Sequence, residues 1–216
     1  MKQIIMLIFI TFITSTNLFA YEFKLTNKDL AYIDNSPKKK FILNRLAKYQ
    51  SLKKKVTNYT LIRKLSHINT FLNKTFSKQD IDLNSSIDYW ATPKEFLLKG
   101  FGDCEDYVIA KYFTLLELNI PKEKLYLSVV KVKGQKTNHM VLLYFENKNS
   151  IPLVLDNLSF RILPLPKRKN LSPIFAFNEI DAYQLTKQKF TKKVKVNWGK
   201  EDKWNNLLKR VYKLNE

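Results

Sequence analysis

The 216-residue chain has one cysteine, Cys104, only four glycines and only seven prolines. A single cysteine excludes an intrachain disulfide framework. It also leaves a cysteine-based structural zinc site short of ligands, since His67 and His139 are the only histidines. So little glycine and proline excludes collagen-like and linker-dominated architectures. Acidic residues are scarce too: 19 Asp and Glu stand against 38 Lys and Arg, a formal charge of +19. Hydrophobic residues are 45% of the chain, enough for a core and far from a disordered composition. The length suits one domain, or one domain with a small helical extension. The excess charge is mostly Lys. Codon bias filling solvated faces and a selected surface for an acidic partner explain it about equally well.

A run of about 20 apolar residues, as a membrane-spanning helix needs, is missing from the start of the chain. Ile4 to Ile13 is apolar but for Thr11, follows the lone Lys2, and leads to Leu18-Phe19-Ala20. This is the form of a secretory signal peptide over residues 1–20, cut after Ala20. Leu18 fits the position three before the cut badly, so an uncleaved anchor is the alternative reading. Cleavage takes Lys2 away and leaves a charge of +18 on residues 21–216. Export places the protein in the periplasm and argues against a nucleic-acid partner. So does the lack of a Gly-aromatic RNA motif or a basic helix-turn-helix pattern. In an exported chain Cys104 is an incidental buried thiol, half of an intermolecular disulfide, or a reactive group.

Apolar spacing predicts helices over 37–56, opened by Ser36-Pro37, and over 58–76, where Leu61, Leu65, Ile68, Leu72 and Phe76 form a stripe. Thr92-Pro93-Lys94-Glu95 starts a short helix that stops at Gly100. Asp103 to Asn119 is the next helix, with Val108, Ile109, Tyr112, Phe113 and Leu116 on its buried side. Leu125–Val132, His139–Phe145, Pro152–Leu155 and Phe160–Leu163 read as strands. Trp204, Leu207, Leu208, Val211 and Leu214 predict a last amphipathic helix. Helices first and an antiparallel meander after them mean an α+β fold.

Chemistry concentrates at Gly100-Phe-Gly-Asp-Cys-Glu-Asp106. The block places Cys104 in the first turn of a helix, where unpaired backbone N–H groups and the helix dipole stabilise a thiolate. The same N–H groups can hold an oxyanion, and the glycines allow close approach of a substrate backbone. The thiolate needs a proton acceptor. His139 opens a strand and is the better base; His67 lies beside an apolar helix stripe. Asp156 ends the following strand, where a meander can bring it behind His139 to fix the tautomer. Each residue alone has a bland reading: a small buried hydrophobe, a surface histidine, a turn aspartate. The order helix-Cys, strand-His, strand-Asp makes them a set. Asp103, Glu105 and Asp106 put three carboxylates in four residues. Hard oxygens suit Ca²⁺, but EF-hand spacing is absent, and capping of the helix start explains acids there equally.

Trp90-Ala-Thr-Pro-Lys-Glu-Phe-Leu97, the block from Gly100 to Tyr112, Asn138-His-Met-Val-Leu142 and Val154-Leu-Asp-Asn-Leu158 together resemble the bacterial transglutaminase-like cysteine peptidases. Among them they are most similar to the LapG-type periplasmic proteases. The resemblance is strong over 85–165 and weak in the flanks. It implies a papain/transglutaminase-like core in one peptidase domain over 21–216: a helical part over 21–84, a catalytic core over 85–165 and an extension over 166–216. It implies a triad of Cys104, His139 and Asp156, and a Ca²⁺ site using Asp103 and Glu105. The implied activity is cleavage of a large acidic surface adhesin near its N-terminus, which promotes biofilm dispersal. The implied inhibitory partner is an inner-membrane receptor sensing cyclic-di-GMP. Trp90 is a candidate wall of the substrate cleft, with core packing as its other reading. A transglutaminase-type amine transfer by the same triad and a non-catalytic binding module are the competing functions.

Overall fold

The computed structural model describes residues 21–77 and 89–213; the expected signal peptide over 1–20 and Leu214 of the expected last helix lie outside these residues. Among the described residues there are six α-helices: α1 Asn27–Asp34, α2 Lys39–Val56, α3 Leu61–Leu72, α4 Pro93–Lys99, α5 Cys104–Glu117 and α6 Lys203–Lys213. The strands are β1 Phe76–Ser77, β2 Phe101–Gly102, β3 Leu125–Val132, β4 Asn138–Tyr144, β5 Leu153–Asp156, β6 Ser159–Pro164, β7 Leu171–Phe177, β8 Ala182–Leu185 and β9 Phe190–Lys193. β1 and β2 form a short parallel pair, and the other seven form an antiparallel sheet in the order β6-β5-β4-β3-β7-β8-β9. The fold is therefore α+β, as the order of elements predicts.

Strand alternation divides the apolar residues between two faces. Leu125 and Leu127 of β3, Met140, Leu142 and Tyr144 of β4, and Leu155 of β5 pack with the helices. Tyr126, Val130 and Val132, then Val141 and Leu143, then Val154, form a second apolar cluster from which the helices are absent. The segment over 165–170 crosses this second face on its way from edge strand β6 to β7, which pairs with central β3. Leu165 and Leu171, at its two ends, are fully buried there.

α5 lies at the centre, packed by α3 and α4 and by β3, β4 and β5. Tyr107 to Leu115 are all buried, so this helix has no solvated side, in contrast to the one-sided pattern expected. α3 ends at Leu72, not at 76. Asn73 caps it, and the Asn73 amide donates to Asp156 O at 2.7 Å and to Ser159 O at 3.0 Å, which ties the helix end to the sheet. The helix α1 and the strands β7, β8 and β9 go beyond the expected elements. α1 opens on a Thr26–Asp29 capping box and joins α4 through a 2.7 Å ion pair of Asp29 with buried Lys94. β7, β8 and β9 lie in the segment expected to be an extension, and they complete the sheet. Their alternation is weak because β9 is a largely exposed edge strand and β8, between β7 and β9, is mostly half-buried.

Candidate active site

The turn before α5 is shaped by glycines for packing. Gly100 ends α4 with φ +81°, a left-handed conformation that suits glycine. The Arg45 guanidinium covers it and donates to Leu98 O at 2.9 Å. A Cβ on Gly102 would lie 2.5 Å from Asp106 Oδ2 and 2.9 Å from Phe96 Cδ2. The two glycines thus make room for Arg45 and for Asp106. Asp106 is buried, and its Oδ1 accepts the Ala91 N–H at 2.7 Å. Asp103 is the N-cap of α5, its carboxylate accepting the Asp106 N–H at 3.4 Å.

Cys104 is the first residue of α5 and is half-buried. β4 runs on past β5, since their pairing stops at Leu142, and beyond it the Met140 N–H donates to the Cys104 sulfur. Cys104 is therefore held against the residue that follows His139. The thiol itself donates to Glu105 Oε2 at 2.8 Å. Among the described residues no hydrogen bond joins Cys104 to His139. Burial pushes the Cys104 thiol well up, and the charge and hydrogen bond of Glu105 add to this, against the Met140 N–H. Burial and a carboxylate at contact distance thus act against the thiolate that the helix start favours.

The strand half is a closed network. His139 and Asp156 are 6% and 0% exposed, and His139 Nε2 lies 2.8 Å from Asp156 Oδ1. That pairing leaves Nδ1 as the ring nitrogen open to another partner. The Leu158 N–H donates to the same Oδ1 at 2.9 Å, and Arg168 Nη2 donates to Oδ2 at 2.6 Å. Burial alone would raise the Asp156 carboxyl; His139, the Leu158 N–H and Arg168 together hold it down at about 2. Lys111, two turns along α5 from Cys104, is fully buried, and its Nζ has no hydrogen-bond partner among the described residues. Burial brings its pKa down to about 7 against the pull of the Asp156 charge. Sequence reading missed Lys111 and Arg168. The first interrupts the apolar run of α5. The second hides in Lys167-Arg168-Lys169, where only Arg168 is buried.

The remaining candidates are placed as follows. The His67 ring packs on Tyr59 at 5.1 Å. Trp90 is 6% exposed, stacked on Phe177 at 6.3 Å and edge-on to Trp198 at 5.7 Å, the core-packing reading. Among the described residues no three His, Cys, Asp or Glu side chains group to hold a metal. Asp103 and Glu105 are partly exposed carboxylates flanking Cys104. In donor type they fit a hard cation, with further oxygens to come from backbone or water.

The family model for bacterial transglutaminase-like cysteine proteinases matches residues 42–170. The fold is shared with solved structures of LapG from Legionella pneumophila. The calcium-bound form is 30% identical with a TM-score of 0.69, over 85% of this chain and 96% of that one. The EGTA-treated form is 30% identical with a TM-score of 0.68, over 79% and 89%. No curated relative matches the chain.

Proposed function

The chain belongs to the bacterial transglutaminase-like cysteine proteinases, and we propose that it is a periplasmic endopeptidase that uses Cys104, His139 and Asp156 to cut a large surface adhesin near its N-terminus. The observation that carries the triad is the buried His139–Asp156 pair at 2.8 Å, beside a cysteine bonded to the Met140 N–H.

His139, with Nε2 committed to Asp156, takes the Cys104 proton at Nδ1. The sulfur attacks the peptide carbonyl, and backbone N–H groups at the start of α5 receive the oxyanion. His139 then gives its proton to the leaving amine, and water releases the acyl group. Asp156 stays ionised and orients the imidazole throughout. The Cys104 thiol must leave Glu105 for this to begin. Asp103 and Glu105 would hold Ca²⁺, and the bound cation would offset the Glu105 charge beside the thiol. The LapG structures in calcium-bound and EGTA-treated forms support that assignment.

Release of an adhesin promotes biofilm dispersal, and an inner-membrane cyclic-di-GMP receptor is the proposed inhibitory partner. The test mixes residues 21–216, with and without Cys104→Ala, with the N-terminal region of a large exported adhesin from the same cell. Two fragments by mass spectrometry, absent with the variant, are expected. An added amine mass means acyl transfer instead, and full activity in the variant would end the proposal.

A further inference from the structure

Asp156 does not reach His139 by strand register alone. β5 and β6 shift register between Val154 and Asp156, so the carboxylate leaves the regular ladder and needs other supports. One oxygen, Oδ1, is shared by His139 Nε2 and the Leu158 N–H. The other, Oδ2, is taken by Arg168 Nη2 at 2.6 Å, in a pair whose side chains are 7% and 0% exposed. Arg168 comes from the segment crossing the second face of the sheet. It is steadied in turn by its Nε, which donates to Asn170 Oδ1 at 3.3 Å. Its neighbours Lys167 and Lys169 are exposed. A solvated arginine would do for a turn; a buried one has to be spent on a partner, because an unpaired buried charge is strongly unfavourable.

We infer that Arg168 is a positioning residue: by fixing Asp156 Oδ2 it stops the carboxylate from turning, and so sets the plane of the His139 ring and the direction of Nδ1. The inference rests on the triad reading above. The charged groups facing Asp156 are His139 from β4, Arg168 from the crossing segment and Lys111 from α5. Lys111 Nζ makes no hydrogen bond among the described residues, so it supplies charge without direction. Of these two cations only the Arg168 guanidinium bonds the carboxylate, and it alone holds Oδ2.

Arg168→Met and Arg168→Lys in the full mature chain test this. Loss of a group that orients a working side chain costs on the order of ten- to a hundredfold. Arg168→Met should lower kcat by about that much with KM nearly unchanged. Arg168→Lys, which keeps the charge but not the planar fork, should recover only part. The second readout needs no turnover: the buried His139 Nε2–H should give a slowly exchanging ¹⁵N-coupled proton signal in the native protein, broadened or lost in Arg168→Met. A folded Arg168→Met with native kcat, or with reduced kcat and an unaltered His139 signal, would overturn the inference. Should Arg168→Met not fold, Arg168→Lys decides: a weakened signal and lower kcat support the inference, and native values of both overturn it. If the native protein cleaves nothing, the peptidase proposal fails while the His139 signal still tests Arg168.

Discussion

The two halves of the site are built differently. Around Cys104 the polar contacts are mostly local: Asp103 caps Asp106, and the thiol bonds to the adjacent Glu105. Around His139 two buried contacts are remote, joining residues 17 apart in one pair and 12 apart in the other, and only the Leu158 N–H is local. The strand half is thus locked by the tertiary fold. The helix half is a partly exposed turn whose carboxylates can change partners. Preorganisation sits with the imidazole, and adjustability sits with the thiol.

The largest test of that contrast removes the nucleophile. Cys104→Ala should abolish adhesin cleavage and leave near-UV circular dichroism unchanged, since the thiol holds no remote partner but the Met140 N–H. Next comes the adjustable half. EGTA should remove cleavage and Ca²⁺ should restore it in preference to Mg²⁺, as a flexible carboxylate site suits the larger ion. Asp103→Ala or Glu105→Ala should do the same as EGTA, and an enzyme indifferent to chelator would leave these acids as helix caps only.

In the locked half, Asp156→Asn should lower kcat by up to about 10⁴-fold, the scale known for the orienting member of a triad. It should also change acid stability. The Asp156 carboxyl is held at about 2 in the fold, below the unfolded value of about 3.9. Its stabilisation is therefore full above about pH 4 and is lost as pH falls towards 2. The loss should be roughly 2 kcal/mol in urea melts, and Asp156→Asn should lack that acid limb. Gly102→Ala should cost about 1–3 kcal/mol by overpacking against Asp106 and Phe96, read as a lower melting temperature. The smallest effect is electrostatic. Steering of an acidic adhesin by the basic surface should make its kcat/KM fall with salt, while a neutral peptide spanning the same bond should be nearly unaffected. Equal slopes would return the lysine excess to codon bias.

Legibility in sequence follows the same divide. The α4 capping box, the Gly100 stop and the Asp103 cap are governed by neighbours within four residues, and all were readable. His139 and Asp156 were readable from element order, since a meander places consecutive strands side by side. Arg168 was not, because its role depends on a segment folding back across a sheet face. Glu105 was readable as an acid at a helix start, but its 2.8 Å bond to the thiol depends on a rotamer. β9 escaped because an exposed edge strand has no buried face to impose alternation, and β8 because its four residues are mostly half-buried on both faces.

The crossing segment also has a consequence for the order of assembly. β3 to β6 can zip up by successive hairpins, each closing a short loop. β7 cannot join until the chain has passed over the finished face to reach β3. Arg168 arrives at Asp156 only with that passage, and non-local closures of this kind come late. A chain that has not made that passage has its thiol turn at the start of α5 but lacks the Arg168 contact that holds Asp156 Oδ2.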